Sequence, residues 1–249
     1  MKYMGSKNRI AKDILPIMLV ERKEGQFWVE PFVGGANMID KIDGNRIGAD
    51  FNEYVVLALT AIRDNLNRLP KNNTEFTESM YKQLRIDDNY EFKGYVGFTA
   101  SYGGKWLGGW CRDRQNKRDY VNESYRNAVK QNTFLQDVDF RHSDYQDLEI
   151  PENSIIYCDP PYENTTSYKD SFNHKEFWEW CRDKAKDGHT IFISEYNAPD
   201  DFECIWSKEI VSSLTKNTGG KKGTEKLFRL AKNRIEDTVV EKGLLDERT

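Results

Sequence analysis

The chain has no apolar stretch near the roughly 20 residues that cross a bilayer. Its first residues, Met1-Lys2-Tyr3-Met4-Gly5-Ser6-Lys7, run into a polar, mixed-charge segment without a secretory apolar region. No membrane contact is expected, and the cytoplasm is the expected compartment. Cysteine is sparse: Cys111, Cys158, Cys181 and Cys204 lie more than twenty residues apart, which suits neither a zinc cluster nor a disulfide framework. Free thiols are expected. His142, His174 and His189 share no ligand spacing, so no metal site is expected. Positive charge is not in excess either. With Lys+Arg 37 against Asp+Glu 41 the formal net charge is −4, which speaks against a protein that coats nucleic acid by overall charge; phosphate contacts need a local patch.

What is present is the material of one α/β domain carrying an inserted lobe. Lys7 to Val20 has apolar residues at helical spacing, with Pro16 as a possible kink. Phe27 to Glu30 reads as a strand stopped by Pro31, then a Gly34-Gly35-Ala36 turn and a helical stretch from Asn37 to Ile42. Asn45 to Asp50 predicts a second strand ending in a carboxylate, and Phe51 to Leu66 the helix after it. Two β-α units in succession predict a doubly wound parallel sheet. From 68 to 132 the texture turns polar, with clustered glycine and aromatics; this is the expected inserted, mainly helical lobe, with residues 1–67 and 133–249 forming the main domain. Strands return at Phe134 to Phe140, Ser154 to Cys158 and Thr190 to Ser194, with a helix from about Lys175 to Asp187. Ile205 to Leu214 and Lys226 to Leu230 suit a closing hairpin around a Gly/Lys-rich loop, and the tail after Arg234 is a charged helix or frayed end.

The strongest chemical signal is Asp159-Pro160-Pro161-Tyr162, directly after the apolar run Ile155 to Cys158 and so at a strand's carboxyl end, where open α/β sheets place ligands. A proline-terminated strand with a surface turn is the plain alternative. The chemistry favours function. An aromatic amino nitrogen is a poor nucleophile until acceptors hold its hydrogens. Asp159 offers a carboxylate and Pro160 a carbonyl, the prolines restrict their motion, and Tyr162 offers a stacking face for an extruded base. The second signal is Pro31-Phe32-Val33-Gly34-Gly35 at the end of the first strand, with Asp50 about fifteen residues after the glycines at the end of the next. Glycine lets backbone approach a ligand. A carboxylate there can accept from ribose hydroxyls, or cap the following helix.

Tyr3-x-Gly5-Ser6-Lys7, Pro31-Phe32-x-Gly34-Gly35, Asp50, a polar insertion and Asp159-Pro160-Pro161-Tyr162, in that order, resemble the Dam-type, alpha-class DNA adenine-N6 methyltransferases. The resemblance implies a Rossmann-like methyltransferase sheet and S-adenosylmethionine as cofactor. It also implies double-stranded DNA as partner, a flipped adenine as substrate, and target recognition by the inserted lobe. It places Tyr3, Gly5, Lys7, Pro31, Phe32, Gly34, Gly35, Asp50 and Asp159 around cofactor and target. Asp144, with Asp147 as rival, matches the family's carboxylate near the cofactor adenine. Of the family's Phe-Asn-x-Pro-Phe/Tyr-Gly stretch only Phe98, Tyr102 and Gly103 remain, so a GATC site does not carry over. Glu225-Lys226-Leu227-Phe228 is similar to the family's closing strand.

Within the lobe, Lys105, Arg112, Arg114, Lys117 and Arg118 interleave with glycine and aromatics as candidate phosphate contacts, joined by Lys221 and Lys222 of the second glycine-rich loop. Other readings are a methyltransferase acting on RNA adenine, cytosine N4 or protein glutamine, and a catalytically silent DNA-binding relative. Cytosine C5 chemistry needs a Pro-Cys nucleophile, and Cys158 precedes Asp159 instead. A monomer is the favoured state.

Overall fold

Short apolar runs become strands and the amphipathic segments between them become helices, in the order α1 (Ala11–Leu19), β1 (Trp28–Glu30), β2 (Arg46–Asp50), α2 (Glu53–Asp64), α3 (Glu78–Gln83), α4 (Lys93–Thr99), α5 (Tyr120–Leu135), β3 (Val138–His142), β4 (Ile155–Cys158), α6 (His174–Lys186), β5 (Thr190–Glu195), β6 (Phe202–Val211) and β7 (Lys222–Leu230). The computed structural model describes residues 1–87, 89–113, 115, 117–163, 172–211 and 222–231, without the side chains of Val211 and Lys222. In one part of the chain β3 pairs with β2, and in the other the strands run in the order β1-β4-β5-β7-β6. The pairs β2/β3, β1/β4 and β4/β5 are parallel, and β7 is antiparallel to β5 and β6. This is the expected α/β class with its closing hairpin. The chain divides into two compact units, Met1–Asp13 with Val33–Asp147, and Ile14–Phe32 with Leu148–Thr249.

In the first unit β2 and β3 lie in register from Arg46↔Val138 to Asp50↔His142. Helix α2 starts where the Asn52 side chain accepts the Tyr54 N–H at 3.1 Å, satisfying one of the helix's orphan donors. It buries Val55, Ala58, Leu59, Ala61 and Ile62. Helix α4 comes close to it because Gly94 has no side chain: a Cβ there would stand 2.7 Å from the Tyr54 carbonyl. Helix α5 is capped by Asp119, and the Asn132 amide donates to the carbonyls of Ile62 and Arg63 at 2.7 and 2.9 Å, tying down the end of α2.

Two local expectations are corrected here. Phe134 and Leu135 end α5 rather than open a strand. The buried positions Val121, Ser124, Ala128, Gln131 and Leu135 keep the helical period to that point, and β3 begins at Val138. After the glycine turn and the left-handed Ala36 at φ 54, Asn37 to Ile42 contains only a 3-10 turn at Ile39–Lys41, ended by Ile42 in an extended conformation.

In the second unit β1 and β4 are buried along their whole length, as expected of parallel strands covered on both faces. Trp28 stacks on Tyr157 with centroids 6.1 Å apart. Helix α6, capped by Asn173, buries Phe177, Trp178, Trp180 and Cys181, and its Arg182 pairs with Asp201 at 2.6 Å. The hairpin of β6 and β7 carries a bulge between Cys204 and Trp206. Its strand starts earlier than expected, since Phe202 is buried against Trp178 at 4.8 Å. The glycine-lysine loop up to Lys221 and the tail after Arg234 fall outside the described residues.

Candidate active site

In the first unit the glycine turn and Asp50 are bound together. The Gly34 N–H donates to Asp50 Oδ2 at 3.0 Å and the Asn52 N–H to Oδ1 at 3.0 Å. A carboxylate has about four acceptor sites, so each oxygen keeps one direction free for a hydroxyl. Burial pushes the Asp50 carboxyl up to about 6, against the pull of the Asn52 and Gly34 N–H groups and of His142. The helix cap alternative falls to Asn52, two residues later. Directly after Asp50, Phe51 is 74% exposed, an aromatic face left open where burial would be the default.

Gly34 has φ 48 and a Cβ there would lie 3.0 Å from the Tyr3 ring; at Gly35 it would lie 2.7 Å from the Met1 carbonyl. Tyr3, Gly34 and Gly35 are thus in contact, and only glycine fits. Gln131, buried on α5, donates to the Gly35 and Ala36 carbonyls at 3.1 and 3.0 Å and fixes the turn from below. Asp144 follows β3 at the same strand edge as Asp50, its side chain accepting the Gln146 N–H at 3.0 Å; Asp147 donates its N–H to the Asp144 carbonyl. Lys7 is buried, with Nζ 3.4 Å from the Gly5 carbonyl.

In the second unit Asp159-Pro160-Pro161-Tyr162 leaves β4 at its carboxyl end. The Tyr162 hydroxyl donates to Glu225 Oε2 at 2.8 Å, and its ring meets Tyr196 edge-on, centroids 4.6 Å apart at 82°. Burial, with Asp159 and Glu225 beside it, pushes the Tyr162 phenol well above its usual range. Glu195, at the end of β5, is 2% exposed. It accepts the Tyr196 N–H at 2.7 Å and the Glu163 N–H at 3.1 Å. Burial first, then the negative charges of Asp159 and Glu163, raise its carboxyl to about 7. Pro31 follows β1, and the Phe32 ring packs edge-on against Phe172 and Phe177, both at 5.8 Å. A cavity of about 420 Å³ lined by Phe27, Asn153 and Thr190 lies at the opposite, amino ends of β1, β4 and β5, away from these groups.

Sequence reasoning missed Glu195, Tyr196, Phe51 and Gln131 and gave Glu225 no role. Glu195 did carry a signal, since it ends a strand run as Asp159 and Asp50 do. Gln131 and Glu225 carried none, because their partners are set by packing and by the β5/β7 register.

Of the candidate phosphate contacts, Lys105 and Lys117 have no side-chain partner among the described residues, whereas Arg112 pairs with Glu78 at 3.5 Å and Arg118 with Glu123 at 2.6 Å. Arg114, Lys221 and the Lys222 side chain lie outside the described residues. The loop carrying Lys105 is held by Trp106, which stacks on Tyr54 at 4.3 Å and touches Phe98 at 4.9 Å; Tyr102 is 62% exposed. Among the described residues there is no group of three or more His, Cys, Asp or Glu that could hold a metal, and no helix is long and apolar enough to cross a membrane.

The sequence is matched by a family model: residues 3–202 match D12 class N6 adenine-specific DNA methyltransferases. The chain belongs to this family. The D12 class is the adenine-N6 DNA methyltransferase class implied by the motif order. The chain is also similar to the type II methyltransferase M.FokI of Planomicrobium okeanokoites, 26% identical over 207 residues that cover 73% of this chain and 31% of that protein. It therefore spans about a third of that relative's length. Among solved structures, the SAH complex of SMU.472 aligns over 90% of this chain and 52% of that one, with 11% identity and a TM-score of 0.36.

Proposed function

We propose that this chain methylates N6 of an adenine flipped out of duplex DNA, with S-adenosylmethionine as donor, as a cytoplasmic enzyme. The observation that carries the reading is Asp159-Pro160-Pro161-Tyr162 at the carboxyl end of β4, in a chain of the D12 class. The cofactor fits the first unit on two counts: Asp50 keeps a free acceptor direction on each oxygen, and the Gly34-Gly35 turn lets backbone approach where a Cβ would clash. When bound, S-adenosylmethionine supplies an electrophilic methyl group. Asp50 then accepts the ribose hydroxyls, with Tyr3, Lys7, Pro31, Phe32 and Asp144 lining the cofactor region and Phe51 offering a stacking face.

Asp159 and the Pro160 carbonyl accept the hydrogens of the adenine amino group, which turns the nitrogen lone pair out of conjugation. Orientation does the remaining work, since no covalent nucleophile is required. Tyr162 stacks on the extruded base and recovers part of the few kcal/mol that unstacking costs. The segment 68–132 serves as the recognition lobe. Lys105 and Lys117, free of ion pairs among the described residues, meet phosphate first, while Arg112 and Arg118 must exchange Glu78 and Glu123 for it.

The test is transfer of labelled methyl from the cofactor to duplex DNA, with RNA as comparison and modified bases identified. N6-methyladenine in DNA, lost in Asp159→Ala with cofactor affinity kept, is the expected result. Label in RNA or in cytosine, or an active Asp159→Ala, would overturn it.

A further inference from the structure

Resting on the reading of Asp159 to Tyr162 as the base-binding tetrapeptide, we infer that Glu195 and Glu225 are positioning residues. Glu195 holds the amide just past the tetrapeptide, and Glu225 holds the Tyr162 hydroxyl. Neither side chain belongs to the sequence motif. Both are buried, at 2% and 7% exposure, and a buried carboxylate is costly unless its acceptors are used. Here Glu225 accepts from the Tyr162 hydroxyl, and Glu195 accepts from the amide just past the tetrapeptide and from that of Tyr196. Glu195 spends one oxygen on the Glu163 N–H and the other on the Tyr196 N–H. This ties the residue after Tyr162 to the end of β5 and sets Tyr196, whose ring stands edge-on to Tyr162. Glu225 fixes the far end of the same ring through its hydroxyl. The Tyr162 ring plane is thus set before any base arrives, so less ordering entropy is lost on stacking.

Glu195 holds two N–H groups only as a carboxylate, because a protonated oxygen is a donor and a poor acceptor. The groups facing it are Asp159 and Glu163 from the segment after β4, its neighbour Tyr196, and Lys226 of β7, opposite it in register. With its carboxyl raised to about 7, a fall in pH below neutrality protonates Glu195 and releases one amide.

Glu195→Gln keeps the shape but offers one acceptor oxygen and an NH₂ that donates. Single-turnover methylation of duplex DNA across pH 6 to 8 should show its rate lowered by about tenfold to a hundredfold at pH 8, with cofactor affinity unchanged. The wild-type decline below about pH 7 should be lost in the variant. Glu225→Gln should lower the rate and weaken quenching recovery at a 2-aminopurine target. A wild-type rate and pH profile in Glu195→Gln, with Asp159→Ala inactive, would overturn the positioning role and leave the tetrapeptide reading standing. A rate loss accompanied by an equal loss of cofactor affinity would show a general structural defect and overturn it too. An active Asp159→Ala would instead overturn the reading of the tetrapeptide itself.

Discussion

Asp50 should make cofactor affinity depend on pH in a range where most carboxylates no longer titrate. Its carboxyl rises from 3.8 to about 6 chiefly through burial. Each of its oxygens already accepts one backbone N–H, from Gly34 and from Asn52, leaving one direction on each for a ribose hydroxyl. Protonation converts one of those acceptors into a donor. Hydrogen bonds to a charged group contribute about 1.5 to 3 kcal/mol, which caps the loss at roughly tenfold to 150-fold. At pH 5, about one unit below the carboxyl's value, roughly a tenth of the sites remain ionised, so affinity should be about tenfold weaker than at pH 8, or ~1.4 kcal/mol. Unfolding would not mimic this. An acid whose value is raised on folding binds its proton more tightly in the folded chain, so its contribution to stability is greatest at low pH. That contribution falls as pH rises from about 4 to about 6. Calorimetry of cofactor binding at pH 5, 6, 7 and 8, for wild type and Asp50→Asn, is the assay; the ratio of the two removes the ligand's own titration. A ratio constant across that range would refute the role given to Asp50.

Gly97→Ala should push Trp106 off Tyr54, since a Cβ would stand 2.2 Å from its Cζ3; overpacking of this kind costs about 1 to 3 kcal/mol, read as a lower Tm, and DNA affinity should fall with cofactor affinity kept. Tyr162→Phe should lose the bond to Glu225 and with it about 1.5 to 3 kcal/mol of stability, and with the ring no longer held through its hydroxyl its single-turnover rate should fall as in Glu225→Gln, with cofactor affinity kept. Neutralising Lys105 and Lys117 together should make the log-log salt slope of DNA binding shallower by about 2. Arg118→Gln should change it less, because Glu123 already neutralises that charge; equal effects would place the phosphate contacts elsewhere.

The sequence by itself determined much of the order of elements and where carboxylates close the strands. The positions of Asp50 and Asp159 at strand ends were legible because each closes an apolar run, and the Gly34-Gly35 turn because a turn without side chains is a local property. Helix α5 was misread at Phe134 because two apolar residues fit either period, and only burial of Leu135 against its own unit decides it. Tertiary structure alone decided which polar groups meet. Gln131 reaches the glycine turn from a helix nearly a hundred residues away, and Glu225 reaches Tyr162 because β7 pairs with β5 in one register. It also divided the cations of residues 105–118 into those held by Glu78 and Glu123 and those left without a side-chain partner among the described residues. Side-chain periodicity and turn chemistry are written in neighbouring residues, but a hydrogen bond between distant ones exists only once packing has brought its donor and acceptor within about 3 Å.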